Sequence, residues 1–233
     1  MMKALLAGVL LVLINTYGTA QEHDERDSLR YYHNSISVVP QYLFRQAIRI
    51  DWEKPIVRGK QLHRLTISPY WYAGNSNRYS FSGIPSSVTR PDDYGETRVD
   101  GFGLEVLDKY TLRFLEQKPS KFYLAFGLGY HRVTLDYVNY EPTPFAENGS
   151  TLFRYGFVDQ QETINSLEVI GLIGMKIFSR HNILFLDVFA GPIIKRSWIN
   201  TESVAPLAHQ EVRDHGFDGV TYRVGVGIGA VIF

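Results

Sequence analysis

Nine charged residues stand in stretches that are otherwise apolar, and each occupies one side of an alternating pattern. They are Arg49, Asp51, Glu53, Arg64, Glu105, Glu168, Lys176, Asp187 and Arg223. Charges on one face of a greasy segment lie either in water or in a protein interior, where each must find a partner. Four are basic and five acidic, so the set can neutralise itself by ion pairing. A proton or ion path lined by the same carboxylates is the functional rival. Ion pairing that fills the interior is favoured over it.

Other chemistry is thinly supported. A serine nucleophile with a histidine base would draw on His131, His209 or His215 and on Ser80, Ser82, Ser86 or Ser87, but no spacing ties a His to a Ser. His131 fits an interior polar network better. No catalytic residue and no cofactor site is assigned. The seven histidines are dispersed, and no His/Asp/Glu group has metal-ligand spacing in the sequence. Asp92, Asp93 and Glu96 read as a solvated loop tip, with a divalent cation as the alternative. Asn148-Gly149-Ser150 matches a glycosylation acceptor but reads as a turn. Cysteine is absent, which removes disulfides and thiol chemistry. The 24 basic and 24 acidic residues cancel, so nothing points to nucleic acid.

The elements that carry the nine charges alternate with a period of two, which specifies strands. The clearest is the C-terminal stretch. Tyr222, Val224, Val226, Ile228, Ala230 and Ile232 share one face, while Thr221, Arg223, Gly225, Gly227 and Gly229 share the other. Ile48, Ile50 and Trp52 oppose Arg49, Asp51 and Glu53. Leu65, Ile67, Pro69 and Trp71 oppose Arg64, Thr66, Ser68 and Tyr70. Phe102, Leu104 and Val106 oppose Gly101, Gly103 and Glu105, after which Asp108 falls on the greasy face, so the register there is open and a bulge is possible. Phe122 to Tyr130, Leu167 to Ile177 and Leu184 to Ala190 alternate in the same way. A weaker first strand covers residues 34–40, followed by a tight connection at 41–46.

Short turns are expected at residues 54–60, 116–121 and 179–182, and long loops at 74–98, 139–163 and 197–219. Connections therefore run short, short, long, short, long, short, long. That rhythm predicts an all-β fold: an eight-stranded antiparallel up-and-down transmembrane β-barrel with three long outer loops. Closing the first strand on the last leaves no edge. Residues 1–20 read as a signal peptide, with Lys3 before an apolar run and Gly18-Thr19-Ala20 at the cleavage site. Residues 21–33 form a charged periplasmic leader, and 34–233 the barrel domain. Trp52 falls at the inner rim, and Trp71, Phe102, Tyr130 and Tyr222 at the outer rim. All five point outward by parity, as an aromatic girdle would.

The stretches Phe-Tyr-Leu-Ala-Phe-Gly-Leu-Gly-Tyr at 122–130, Leu-Phe-Leu-Asp-Val-Phe-Ala-Gly at 184–191 and Val-Gly-Val-Gly-Ile-Gly-Ala-Val-Ile-Phe at 224–233 carry a family likeness. With the signal peptide, they resemble small eight-stranded outer-membrane β-barrel proteins (OmpA/OmpX-like), most closely those of Bacteroidetes-type bacteria. The resemblance implies residence in the cell outer membrane, contact with its lipid, and a structural or surface-interaction role without enzyme activity. It also implies that Phe233 serves as the terminal signal read by the barrel-assembly machinery, although parity puts Phe233 with the glycine set. A surface partner would meet the loops at 74–98, 139–163 and 197–219. Two alternatives stay open. One is a soluble exported lipocalin-like barrel around a small hydrophobic ligand. The other is a lipid A-modifying barrel enzyme, which some barrels of this size resemble.

Overall fold

A computed structural model of the 233-residue chain describes residues 33–58, 61–76, 96–112, 120–179, 183–201 and 214–232. The expected signal peptide, most of the leader, Ser80 to Ser87, Asp92 and Asp93, His209 and Phe233 lie outside the described residues. Eight strands form one closed antiparallel up-and-down barrel. They are β1 (Asn34–Val38), β2 (Ala47–Arg58), β3 (Gln61–Ser76), β4 (Thr97–Thr111), β5 (Ser120–Glu147), β6 (Ser150–Phe178), β7 (Leu184–Thr201) and β8 (Gly219–Ile232). Closure is by β1 on β8, with Asn34 opposite Ile232 and Val38 opposite Ile228.

The alternation sets which side chains face inward. On β2, Arg49, Asp51 and Glu53 are buried while Ile48 and Trp52 are exposed. On β5 and β8, Phe126, Leu128 and Val224 are 62%, 64% and 72% exposed, while the residues between them turn inward. The outer face is apolar, and the interior combines these charges with buried aromatic and aliphatic side chains such as Leu107, Ile170 and Phe189.

Several boundaries differ from those read in the sequence. Residues 139–163 are not a loop. They continue β5 and β6 as one hairpin, in register from Ser120 opposite Ile177 to Glu147 opposite Ser150. The turn is Asn148-Gly149, with φ of 52° and 79°. Positive φ at both central residues is the hairpin geometry whose twist matches the strands. The first strand stops at Val38, and Pro40–Arg45 is a 3-10 helix with Pro in its first turn. Proline has no N–H to offer a ladder but fits a helix start.

β2 passes through the expected turn at 54–60, with Pro55 opposite Arg64 and the strand reaching Arg58. Trp52 therefore lies halfway along β2, between Ile36 and Ile67, and not at its end. No bulge interrupts β4: Leu65, Asp108 and Phe126 are in simple register. Asp108 does face outward, where His63 meets it at 3.0 Å. Of the other expected loops, β3 takes residues 74–76, and β4 and β7 claim 97–98 and 197–201.

Candidate functional site: a charged barrel interior

Backbone register brings the inward charges into two tiers. The lower tier gathers around Glu53, which is fully buried. Arg64 Nε donates to Glu53 at 3.0 Å and Lys109 Nζ at 2.5 Å, and Lys176 Nζ donates to the same carboxylate. Lys109 also reaches Asp187 at 2.9 Å, and the Tyr123 hydroxyl donates to Asp187 at 2.6 Å. Arg64 donates to the Ser35 hydroxyl at 3.0 Å, tying β1 into the cluster.

The upper tier is built on Glu105. Arg223 donates to both of its oxygens, at 2.8 and 2.7 Å, and to Glu168 at 2.9 Å. Paired N–H groups on one carboxylate give the fork geometry in which arginine binds best. Arg49 donates to Asp51 at 2.6 Å and lies 3.5 Å from Glu105. Its guanidinium is within 5.6 Å of the ring centroids of Tyr42, Tyr70 and Phe189. Tyr42 comes from the 3-10 helix, so that connection inserts a side chain into the barrel mouth.

All nine residues singled out in the sequence face the interior in these two clusters, eight of them buried and Arg223 partly so. The sequence reading missed Lys109, because it lost the register at Asp108. Continuing the alternation three residues past Val106 puts Lys109 inward. Five cations and five carboxylates then face each other. Tyr70 and Tyr123 fall on the same inward faces by alternation, whereas Tyr42, in the connection before β2, carries no such signal; the rings of all three line the charges.

The inward glycines make room for this crowd. A Cβ on Gly225 would meet the Phe189 ring, one on Gly229 the Phe185 ring, and one on Gly174 the Tyr123 ring. Each pair is directly opposed across two strands. One member supplies a ring and the other supplies the space, which is how an interior of eight strands accommodates aromatics.

His131 faces inward from β5, opposite Gly103 and Ser166. Its Nδ1 is 2.9 Å from the Tyr72 hydroxyl. Its Nε2 is 3.4 Å from Glu105 and 3.7 Å from Glu168, and it has no aligned hydrogen-bond partner. A cavity of about 20 Å³ opens here, walled by Tyr70, Tyr72, His131, Glu168 and Arg223. His215 closes it from above, where its backbone carbonyl accepts from Lys195 Nζ at 2.7 Å. His131 and His215 thus share one end of the interior, and His131 faces away from the outer surface.

The girdle aromatics are on the outer face. Trp71 is opposite Phe102, and the Phe102 and Tyr130 rings approach to 6.4 Å. Tyr222 is the most exposed of the five, at 79%. Fold and interior together define the class: a closed eight-stranded up-and-down β-barrel with an ion-paired core. Comparison with protein families, curated proteins and solved structures returns no match for this chain.

Proposed function

We propose that this chain is a membrane-spanning β-barrel of a bacterial outer membrane. Its interior is closed by ion pairs, and it serves as a structural protein that offers its long hairpin as a contact surface. The observation that carries the reading is the outward belt. Val106, Leu128, Val169 and Ile194 lie along one line of partners across four strands, all exposed. Polar residues bound the belt on one side at Asp100, Arg132 and Arg196, and on the other at Lys54, His63 and Asp108. Asp100 and Asp108 are eight residues apart on β4. At 3.4 Å per residue and a tilt near 40° that is about 21 Å of height, close to the roughly 25 Å apolar band of outer-membrane barrels.

An apolar belt running around a whole barrel is far larger than the few hundred Å² a soluble monomer exposes. The lipocalin-like alternative requires the opposite arrangement, an apolar interior open to a ligand. The interior here holds ten paired charges around a cavity of about one water's volume. Balanced charges so close together also disfavour an open ion path. The reading makes membrane lipid the solvent of the belt and the assembly machinery the reader of the C-terminal strand.

Above the belt, β5 and β6 continue beyond Tyr137 and Glu162, their last residues paired with β4 and β7 among the described residues. The projecting ribbon carries Phe145, Leu152, Phe153 and Tyr155 exposed. Aromatics on a two-stranded projection are suited to partner contact.

The test is electrophoresis of the membrane fraction in dodecyl sulfate, unboiled and boiled. The reading expects faster migration before boiling, because a closed barrel resists the detergent. Recovery in the soluble fraction with no shift would overturn it.

A further inference from the structure

Glu105, His131 and Glu168 come from three adjacent strands and are far apart in the sequence. Their ligand atoms lie within 4.8 Å of one another, and all three residues are buried. The two contacts of His131 Nε2 are 3.4 Å to Glu105 and 3.7 Å to Glu168. Those are long for hydrogen bonds. They suit the edges of a coordination tetrahedron instead: metal–ligand bonds of about 2.0–2.1 Å give ligand–ligand separations of about 3.4 Å.

Two further observations point the same way. His131 is 5% exposed, and its Nε2 has no aligned hydrogen-bond partner in the barrel. The Tyr70 hydroxyl is buried and also unpartnered, and it lines the same cavity of about 20 Å³, which holds a single ion or water. Orphaned buried polar atoms are rare and ask for an occupant.

The surroundings are those of a supported site. The other ring nitrogen of His131 is held by Tyr72 at 2.9 Å, as metal-bound histidines are held by an outer partner. Arg223 grips both carboxylates and fixes their orientation. Within the ion-pair network the upper tier sets Asp51, Glu105 and Glu168 against Arg49 and Arg223. Arg45 and Lys195 also line the cavity, and Lys195 Nζ donates to the His215 carbonyl while keeping its charge.

We infer that Glu105, His131 and Glu168 bind one divalent transition-metal ion at the mouth of the barrel. One nitrogen and two carboxylates suit zinc, with cobalt(II) as its spectroscopic stand-in. The ion cross-links β4, β5 and β6.

The experiment uses the folded protein purified without a histidine tag, stripped with chelator, loaded with zinc and freed of excess by gel filtration. Wild type is expected to retain one zinc per chain by elemental analysis. His131→Ala is expected to retain almost none, while His63→Ala, which alters the outward His63–Asp108 pair, retains one. Cobalt-loaded wild type is expected to show the intense visible bands of a four-coordinate site, and His131→Ala to lack them. Should His131→Ala fail to fold, the cobalt spectrum of wild type decides alone. Wild type with no more metal than His131→Ala, or without ligand-field bands, overturns the inference and leaves the cavity to water.

Discussion

Lys109 donates to Glu53 across the barrel interior at 2.5 Å, although the two residues are separated by 56 positions in the chain. Lys109 also holds Asp187 at 2.9 Å, so one ammonium joins β2, β4 and β7. Its ammonium lies 4.7 Å from the Tyr123 ring centroid. Replacing Lys109 by methionine keeps the side-chain stem and removes the charge. Asp187 then keeps only Tyr123, and Glu53 keeps Arg64 and Lys176. Breaking a buried pair by removing one partner costs about 3–5 kcal/mol. Lys109→Met is expected to lose stability of that order in urea titrations of the folded barrel. Adding Asp187→Asn restores equal numbers of charges and is expected to recover part of the loss. A change below about 1 kcal/mol would mean that water reaches these groups.

The opposed glycine and aromatic positions predict a second asymmetry. A Cβ at Gly225 would enter the Phe189 ring, whereas one at Gly156 on the hairpin meets nothing within 4 Å. Forcing a methyl into a filled interior costs about 1–3 kcal/mol. Gly225→Ala is expected to lose stability in that range, and Gly156→Ala to change it by less than about 0.5 kcal/mol. Combining Gly225→Ala with Phe189→Leu should recover part of the loss, because the smaller side chain vacates the volume. Equal effects at Gly225 and Gly156 in urea titrations would refute the paired-volume account.

Much of this architecture is legible in the sequence because strand periodicity is simple. Once Ile48 and Arg49 are assigned to opposite faces, every later residue of that strand follows. The interior set was readable for that reason, as far as the alternation was carried. It stops at Asp108, where a charge on the greasy face leaves the register open and a bulge as one explanation. Asp108 sits near the end of β4, beside His63, where the outer face is already polar. Carrying the pattern past it yields Lys109.

Residues 139–163 misled for a different reason. From Thr143 to Tyr155 both faces of the ribbon are exposed, so the apolar alternation that marks a strand fades there. The surviving signal was Asn148-Gly149, a strong two-residue hairpin cue. The grouping of Glu105, His131 and Glu168 has no spacing signal at all. It depends on the offsets between three strands, with Gly103 opposite His131 and Gly129 opposite Glu168, and those are fixed by turns and closure.

Charge placement on the outer face separates a membrane barrel from a soluble one. Leu128 is exposed in the middle of the belt, and Phe153 is exposed on the projecting hairpin, at 64% and 65%. In water, arginine at either place would matter little. In a bilayer, arginine near the midplane costs about 2–4 kcal/mol and little beyond the interface. Leu128→Arg is expected to lower folding stability in lipid vesicles by that amount, while Phe153→Arg leaves it within about 0.5 kcal/mol. Equal, small effects would remove the belt from contact with lipid.

The hairpin itself is expected to be dispensable to the barrel. Among the described residues, Thr97 opposite Tyr137 is the last β4 contact of β5, and Thr201 opposite Glu162 the last β7 contact of β6. Farther out, from Thr143 to Tyr155, the ribbon is exposed on both faces, and nearer the barrel it packs through pairs such as Tyr140 with Phe157, whose rings are 5.2 Å apart. An isolated two-stranded ribbon is marginal in water, so its amides should exchange hydrogen much faster than those of Leu124 or Ile173. Thr143 and Arg154 are direct partners. Replacing residues 144–153 by Asn-Gly shortens the ribbon while keeping its register and turn chemistry. The shortened protein is expected to keep its boiling-dependent mobility and its urea midpoint. It is also expected to lose whatever surface contact the exposed Phe145, Leu152 and Phe153 provide. Loss of the mobility shift would show instead that the ribbon is part of the barrel's own folding unit.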